Sequence, residues 1–403
     1  MKTRVHAIAL GVAAAVLGTS AFAADSDEER IKKLEQQVTV LQAQQKSADP
    51  LDRFHINGFA SVGMGIASED LGYAGYKDDD VHFSPDSMAA LQVSFDINSK
   101  AQAVVQIVAR GEDDWDPEFE WAYVSYQFDN GVTARGGRLR APVFMLSDYL
   151  EVGYAYSFAR PSVEVYESLP ISTLDGFDLR IPVALGDTTL TFQPFVGETT
   201  IEADNLENDT DVDNILGLAV ELDWSDFNFR TSYATSELKE ESESSIVDGA
   251  DGTFLGFGAG WDNGDWVVMG EWTRIEVDGL YPDTDSYYVS AGYRYNDLTP
   301  YVMVSGLESQ DDDERAIPIP GIRSSADIER MSYSLGLRWD FAAGMAVKFD
   351  ATLVDDFGDT SGGFPANSVA LPVGGGSTIP VVAPDAIKID DVALYSVVFD
   401  VIF

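Results

Sequence analysis

Five arginines and four carboxylates in the first half of the chain have the types and spacing for chemistry. They are Arg135, Arg138, Arg140, Arg160 and Arg180, set against Asp148, Glu151, Glu164 and Glu167. A guanidinium is a planar fork that pairs bidentately with carboxylate or phosphate and keeps its charge at ordinary pH. Facing rows of opposite charge would set up a transverse field, orienting dipolar solutes and penalising apolar ones. The same residues can instead serve structure, pinning the segment 141–173 to the wall that carries Arg135, Arg138 and Arg140. Both readings stand at this point. Arg135 and Arg138 have opposite parity along an extended chain, so Gly136-Gly137 must bulge if both are to face one way.

Other chemistry is thin. Beyond the N-terminal leader the chain has two histidines, His55 and His82. His82 stands near Asp79, Asp80, Ser84 and Asp86, the elements of a hydrolytic site, but chance proximity in so acidic a stretch explains this better. Asp209-x-Asp211-x-Asp213 opens like a calcium loop. Asn214 then stands where glycine is needed and Val220 where the bidentate glutamate belongs, which excludes an EF-hand and leaves weak surface Ca2+ binding at most. With no cysteine, no phosphate-cradling glycine loop and no histidine cluster, neither a bound metal nor a cofactor is expected.

The formal net charge of −43 argues against nucleic acid as a partner, since binding to phosphates needs lysine and arginine. Disorder is the other reading of so large a charge. A content of 45% hydrophobic and 11% aromatic residues excludes it. The acid concentrates in connecting segments such as Lys77-Asp78-Asp79-Asp80 and Glu112-Asp113-Asp114, and basic residues lie largely on the segments between them.

Those charged residues need elements to position them. Lys2 and Arg4 precede an apolar run from Ala7 to Leu17 and then Ala21-Phe22-Ala23, so residues 1–23 read as a secretory signal peptide. No other run is long and apolar enough for a membrane helix. Within 24–50, Ile31, Leu34, Val38 and Leu41 recur at 3, 4 and 3, a two-heptad seam expected to form a periplasmic coiled coil. From Phe54 the period becomes 2, giving sixteen candidate strands, with 132–140 the fifth, 214–223 the eighth and 391–403 the last. Their connections alternate between short turns, such as Asp129-Asn130-Gly131 and Asp262-Asn263-Gly264, and long loops such as 68–86, 141–173 and 355–390. An even number of strands with short turns on one rim and long loops on the other predicts an all-β, sixteen-stranded antiparallel transmembrane barrel over 51–403. Tyr126, Phe128, Trp266, Tyr293, Tyr295 and Trp339 cluster by the short turns, where an aromatic girdle would sit. In the last strand Phe403, Val401, Phe399, Val397 and Tyr395 form one apolar face, while Ile402, Asp400, Val398, Ser396 and Leu394 are mixed.

Together these features resemble the Gram-negative trimeric porins over residues 54–403. The strongest local match is Gly136-Gly-Arg-Leu-Arg140 followed by the loop 141–173, and the N-terminal heptads are similar to those of dicarboxylate-channel-like porins. The resemblance implies that the loop folds into the barrel as a constriction. On that basis Arg138, Arg140 and Arg180, with Arg135 and Arg160, would form a basic side opposite Asp148, Glu151, Glu164 and Glu167. It further implies a homotrimer in the outer membrane, contacts with lipid and lipopolysaccharide, and a closing strand ending in Phe403 that the barrel assembly machinery reads. The expected function is passive diffusion of small hydrophilic solutes, with selection of small organic anions such as dicarboxylates as the alternative and a barrel hydrolase the least favoured.

Overall fold

The computed structural model describes residues 50–78, 80–169, 171–201, 210–239, 249–278, 281–312, 327–360, 362–364, 368–374, 377–382 and 391–403. The expected signal peptide, 1–23, and the expected coiled-coil seam of Ile31, Leu34, Val38 and Leu41 lie outside the described residues, as does Asp79. The chain divides into two compact units, 1–53 and 54–403. Of the first, a short 3-10 turn, Pro50–Arg53, is described.

The second unit is a closed antiparallel barrel of sixteen strands. Strands β1 to β5 are Phe54–Ala67, Met88–Asp96, Ala101–Arg110, Pro117–Gln127 and Thr133–Arg140. Strands β6 to β10 are Thr173–Leu185, Thr188–Ile201, Thr210–Trp224, Phe227–Lys239 and Ala250–Asp262. Strands β11 to β15 are Trp266–Val277, Thr284–Tyr293, Leu298–Ser309, Glu329–Ala342 and Met345–Asp355. A separate hairpin of β16 (Ser368–Gly374) and β17 (Ser377–Val382) lies in the last long loop, where the sequence pattern shows no strand, and β18 (Val392–Ile402) closes the barrel.

Closure joins the two chain-distant ends. Strand β18 pairs with β1 from Phe59↔Ile402 to Ala67↔Leu394, and Gly58 and Phe403 exchange backbone hydrogen bonds of 2.8 and 2.9 Å. The period-2 pattern resolves into two environments. Tyr395 and Phe403 are 60% and 70% exposed on the outer face, whereas Val392, Leu394, Val398 and Asp400 are buried within. The short turns follow their chemistry: Gly131 has φ 85°, and Asn130 Oδ1 accepts from the Val132 amide at 3.2 Å. The aromatics flanking these turns are exposed on the outer face, with Trp266 against Tyr293 at 4.9 Å and Tyr126 against Phe128 at 5.0 Å between ring centroids.

Strand β8 begins four residues before the expected position. Asp211 and Asp213 are therefore strand residues paired with Lys239 and Glu237, not loop ligands. The register slips at Asn214 (φ 54°), so the residue that blocks a calcium loop is instead the bulge of a strand.

Candidate functional site

The segment 141–172 touches strands around the whole ring, which is achievable only by crossing the lumen. Ser232 of β9 donates to the Val143 carbonyl, and Arg230 donates to that of Pro142 at 2.8 Å. The Met145 amide donates to Glu271 of β11 at 2.7 Å, and the Ala159 amide donates to Tyr301 Oη of β13 at 3.0 Å. Arg338 of β14 donates to the carbonyls of Tyr154 and Tyr156, both at 2.8 Å. A short helix α1, Val163–Tyr166, lies near the end of the segment. Apolar packing fixes one side: Phe144, Leu146, Tyr156, Phe158 and Val165 join Phe195, Val212, Phe254, Ile275 and Tyr288 in a single buried cluster.

Among the described residues, four buried ionic anchors hold the other side, one of them Glu164 with Arg330. In the first, Arg140 pairs with Glu120 at 2.9 Å and with Glu151 at 3.2 Å, and its Nε donates to the Ser147 carbonyl at 3.1 Å. Arg110 closes the quartet by pairing with both carboxylates. Burial pushes the Glu151 carboxyl up, but Arg140 and Arg110 outweigh it and hold it below the ordinary carboxylate range. Glu120 was not evident in the sequence. It is the extra residue of a bulge between Gln106↔Trp121 and Ile107↔Phe119, which turns it inward against the strand's parity.

In the second anchor Lys348 and Asp400, 0% and 1% exposed, pair at 2.9 Å. Lys348 also donates to the Gly153 carbonyl at 2.5 Å and Ser61 to Asp400 at 2.6 Å. In the third, Arg160 pairs with Asp86 at 2.7 Å and Asp350 at 3.4 Å and donates to Ser396. Tyr76 also donates to Asp86 at 2.8 Å. Asp86 thus serves the loop anchor, not a hydrolytic pair with His82, whose backbone bridges Gly65.

The remaining candidates separate. Arg135 pairs with Asp178 at 2.5 Å within the wall. No bulge forms at Gly136-Gly137, because register runs unbroken from Thr133↔Arg180 to Arg140↔Thr173. Gly137 absorbs the strain at φ 130°, where an added Cβ would lie 2.3 Å from the Ala122 carbonyl oxygen. Arg138 therefore takes the opposite face to Arg135 and pairs with Asp175 at 2.7 Å, the two side chains 42% and 45% exposed. Glu164 is buried against Arg330 at 3.2 Å and accepts from Tyr73 and Ser332. Of the expected basic and acidic rows, the pair that meets in hydrated space is Arg180 and Asp148, 3.6 Å apart and each about one-third exposed.

That pair lines a cavity of about 960 Å³ at the short-turn end of the lumen. Four guanidiniums face it, each with a carboxylate partner: Arg180 with Asp148, Arg230 with Glu221 at 3.6 Å, Arg294 with Asp262 at 2.5 Å, and Arg338 with Asp340 at 2.7 Å. Asp223 and Asp226 line it as well, so its carboxylates exceed its guanidiniums by two. Asp148 and Tyr149 also line a neighbouring cavity of about 500 Å³ with Asn57, Gln92 and Gln106.

Residues 10–359 match the family of Gram-negative porins. The chain belongs to that family. Among solved structures, the anion-selective porin of Comamonas acidovorans is 14% identical with a TM-score of 0.55, over 87% of this chain and 99% of that one. The outer membrane channel DcaP of Acinetobacter baumannii is 11% identical with a TM-score of 0.55, over 87% and 97%. OmpF of Salmonella typhi, in complex with daunomycin, is 12% identical with a TM-score of 0.55, over 86% and 97%. Such identities carry the fold alone. Comparison with curated proteins finds no sequence relative. The porin is an outer-membrane channel whose barrel is crossed by its third loop, the segment 141–172 between β5 and β6.

Proposed function

We propose that this porin passes small hydrophilic solutes passively and prefers cations. The observation that carries this reading is the charge balance at the loop. Arg135, Arg140 and Arg160 are neutralised inside ion pairs and Arg138 lies on the opposite face, while the hydrated cavity keeps two carboxylates in excess. Selection of dicarboxylates would need spare guanidiniums there. The expected result is stepwise conductance in planar bilayers with a cation-signed reversal potential in a salt gradient. An anion-signed potential overturns the preference, and no conductance overturns the channel.

We infer a homotrimer bound by lipopolysaccharide. Outer-face residues Ala60, Ala89 and Ala109 stand directly cross-strand on β1 to β3, a small apolar row suited to close approach of a second copy. Farther round, the long-loop ends carry like charges directly opposite one another: Asp285↔Glu308↔Glu329 and Asp251↔Glu237↔Asp213. Lys239 already bridges Asp213 and Glu237, and Arg274 pairs with Asp285, which leaves Glu308 and Glu329 as a like-charged pair that repels and that a divalent cation would bridge to lipid phosphates. Washing with a chelator should strip co-purified lipopolysaccharide while leaving the trimer intact in native mass spectrometry. Retained lipid would count against the bridge, and a monomer before the wash would count against the trimer.

For the closing strand we propose recognition by the assembly machinery through Phe403, Phe399 and Tyr395. Their exposure on one outer face supports it, since Val401 and these rings present a continuous apolar edge. Phe403→Ala should lower the folded fraction in the outer membrane several-fold, with little effect on refolding of the pure protein into detergent, because about 1.5–3 kcal/mol of apolar contact is small for so large a barrel. Equal loss in both settings would make the residue's role structural.

A further inference from the structure

The long-loop half of the lumen contains a further cavity, of about 500 Å³, whose walls are largely apolar. Strands β7 to β13 present Phe195, Val212, Ile215, Phe254, Ile275 and Leu307 to it, and the third loop contributes Val143, Leu169 and Ile171. An aqueous lumen has no use for these side chains at that depth. Apolar wall residues pack directly on the loop below, and the cavity the described residues line lies in the size range of small-molecule sites.

Among the described residues, the charged ones that reach this cavity are Arg330 and Glu167. Arg330 is already balanced: Nε meets Glu164 at 3.2 Å, Nη1 donates to the Gly362 carbonyl at 3.1 Å, and the guanidinium lies over Tyr73 and Phe364. Glu167 opens onto the cavity while enclosed by the barrel. Burial, opposed by Arg330 and reinforced by Glu164, pushes its carboxyl up to about 7. Among the described residues the local charge is therefore zero to minus one, with no cation there to spare for an anionic ligand. A deep apolar site of that charge favours an uncharged ligand with one hydrogen-bonding group.

We propose that this cavity binds small uncharged apolar molecules, aromatic ones included, with Glu167 as the hydrogen-bonding partner of a single polar group. The site is separate from the polar cavity and does not depend on its ion preference. The test uses the full-length trimer in amphipol and calorimetric titration with 1-naphthol, with 1-naphthalenesulfonate as the anionic counterpart. Saturable binding of one 1-naphthol per barrel is expected, with the sulfonate at least about tenfold weaker. Ala234→Phe and Ser236→Phe project a ring into the space from β9 and should each weaken 1-naphthol by about tenfold or more. Circular dichroism and heat-dependent gel mobility verify that both variants fold. Uptake no greater than by amphipol alone, equal binding of the sulfonate, or folded variants that bind like the parent would each overturn the site. Conductance recorded on the same samples separates this failure from failure of the channel reading.

Discussion

Arg140→Ala should release the third loop and weaken the barrel by about 3–5 kcal/mol, because it leaves Glu120 and Glu151 buried with Arg110 as their one remaining guanidinium. The expected readouts are an earlier thermal transition of the folded form and larger, noisier single-channel currents. Arg140→Lys should recover little, since one ammonium cannot reproduce a fork that spans Glu120, Glu151 and the Ser147 carbonyl. Arg138→Ala, two residues away, should cost at most about 1 kcal/mol and leave the current unchanged, its partner being exposed on the other face. The linkage has a definite sign. Glu151 is held below its unfolded value, so its contribution is present above that value and is lost as pH falls through the depressed one. Acidification should therefore mimic Arg140→Ala as pH falls through that depressed value and not above it. An unchanged transition and current in Arg140→Ala would show that the apolar packing of Phe144, Leu146 and Phe158 holds the loop unaided.

The contrast between Arg138 and Arg140 shows what was legible in the sequence. Strand number, closure and turn polarity follow from period 2 and local turn chemistry, both short-range properties, so Phe403 and Gly131 could be placed from residues alone. The partners of the arginines depend on register between strands, and register turns on single-residue bulges that leave no compositional mark. Nothing near Glu120 announces that it is the extra residue of β4, yet that slip creates the Arg140 anchor. Gly136-Gly137 looks like a bulge and is not one, because Gly137 takes an unusual φ without breaking the ladder. The apolar half of the lumen was likewise hidden. Apolar residues on the inner face of β7 to β13 read as strand interior, and their excess acquires meaning once the third loop is known to cover only part of them.

The second large effect concerns ion preference. Two uncompensated carboxylates facing the cavity each interact with an ion roughly 5 Å away by about 0.8 kcal/mol in bulk water, so together they enrich cations on the order of tenfold and deplete anions by about as much. Asp223→Asn with Asp226→Asn removes that excess while leaving the four guanidinium pairs in place. The cation-to-anion permeability ratio should fall to within about twofold of unity, with conductance little changed, because neither substitution alters side-chain size. Raising the salt should compress the difference between parent and variant, as the Debye length drops from about 10 Å at 0.1 M to about 3 Å at 1 M. The acidic outer loops, Glu112-Asp113-Asp114 among them, predict the opposite dependence on position: if they set the preference, the double variant keeps its cation selectivity at low salt. Retained selectivity would therefore move the filter from the third loop to the outer rim, whereas a collapse of the ratio places it beside Asp148 and Arg180.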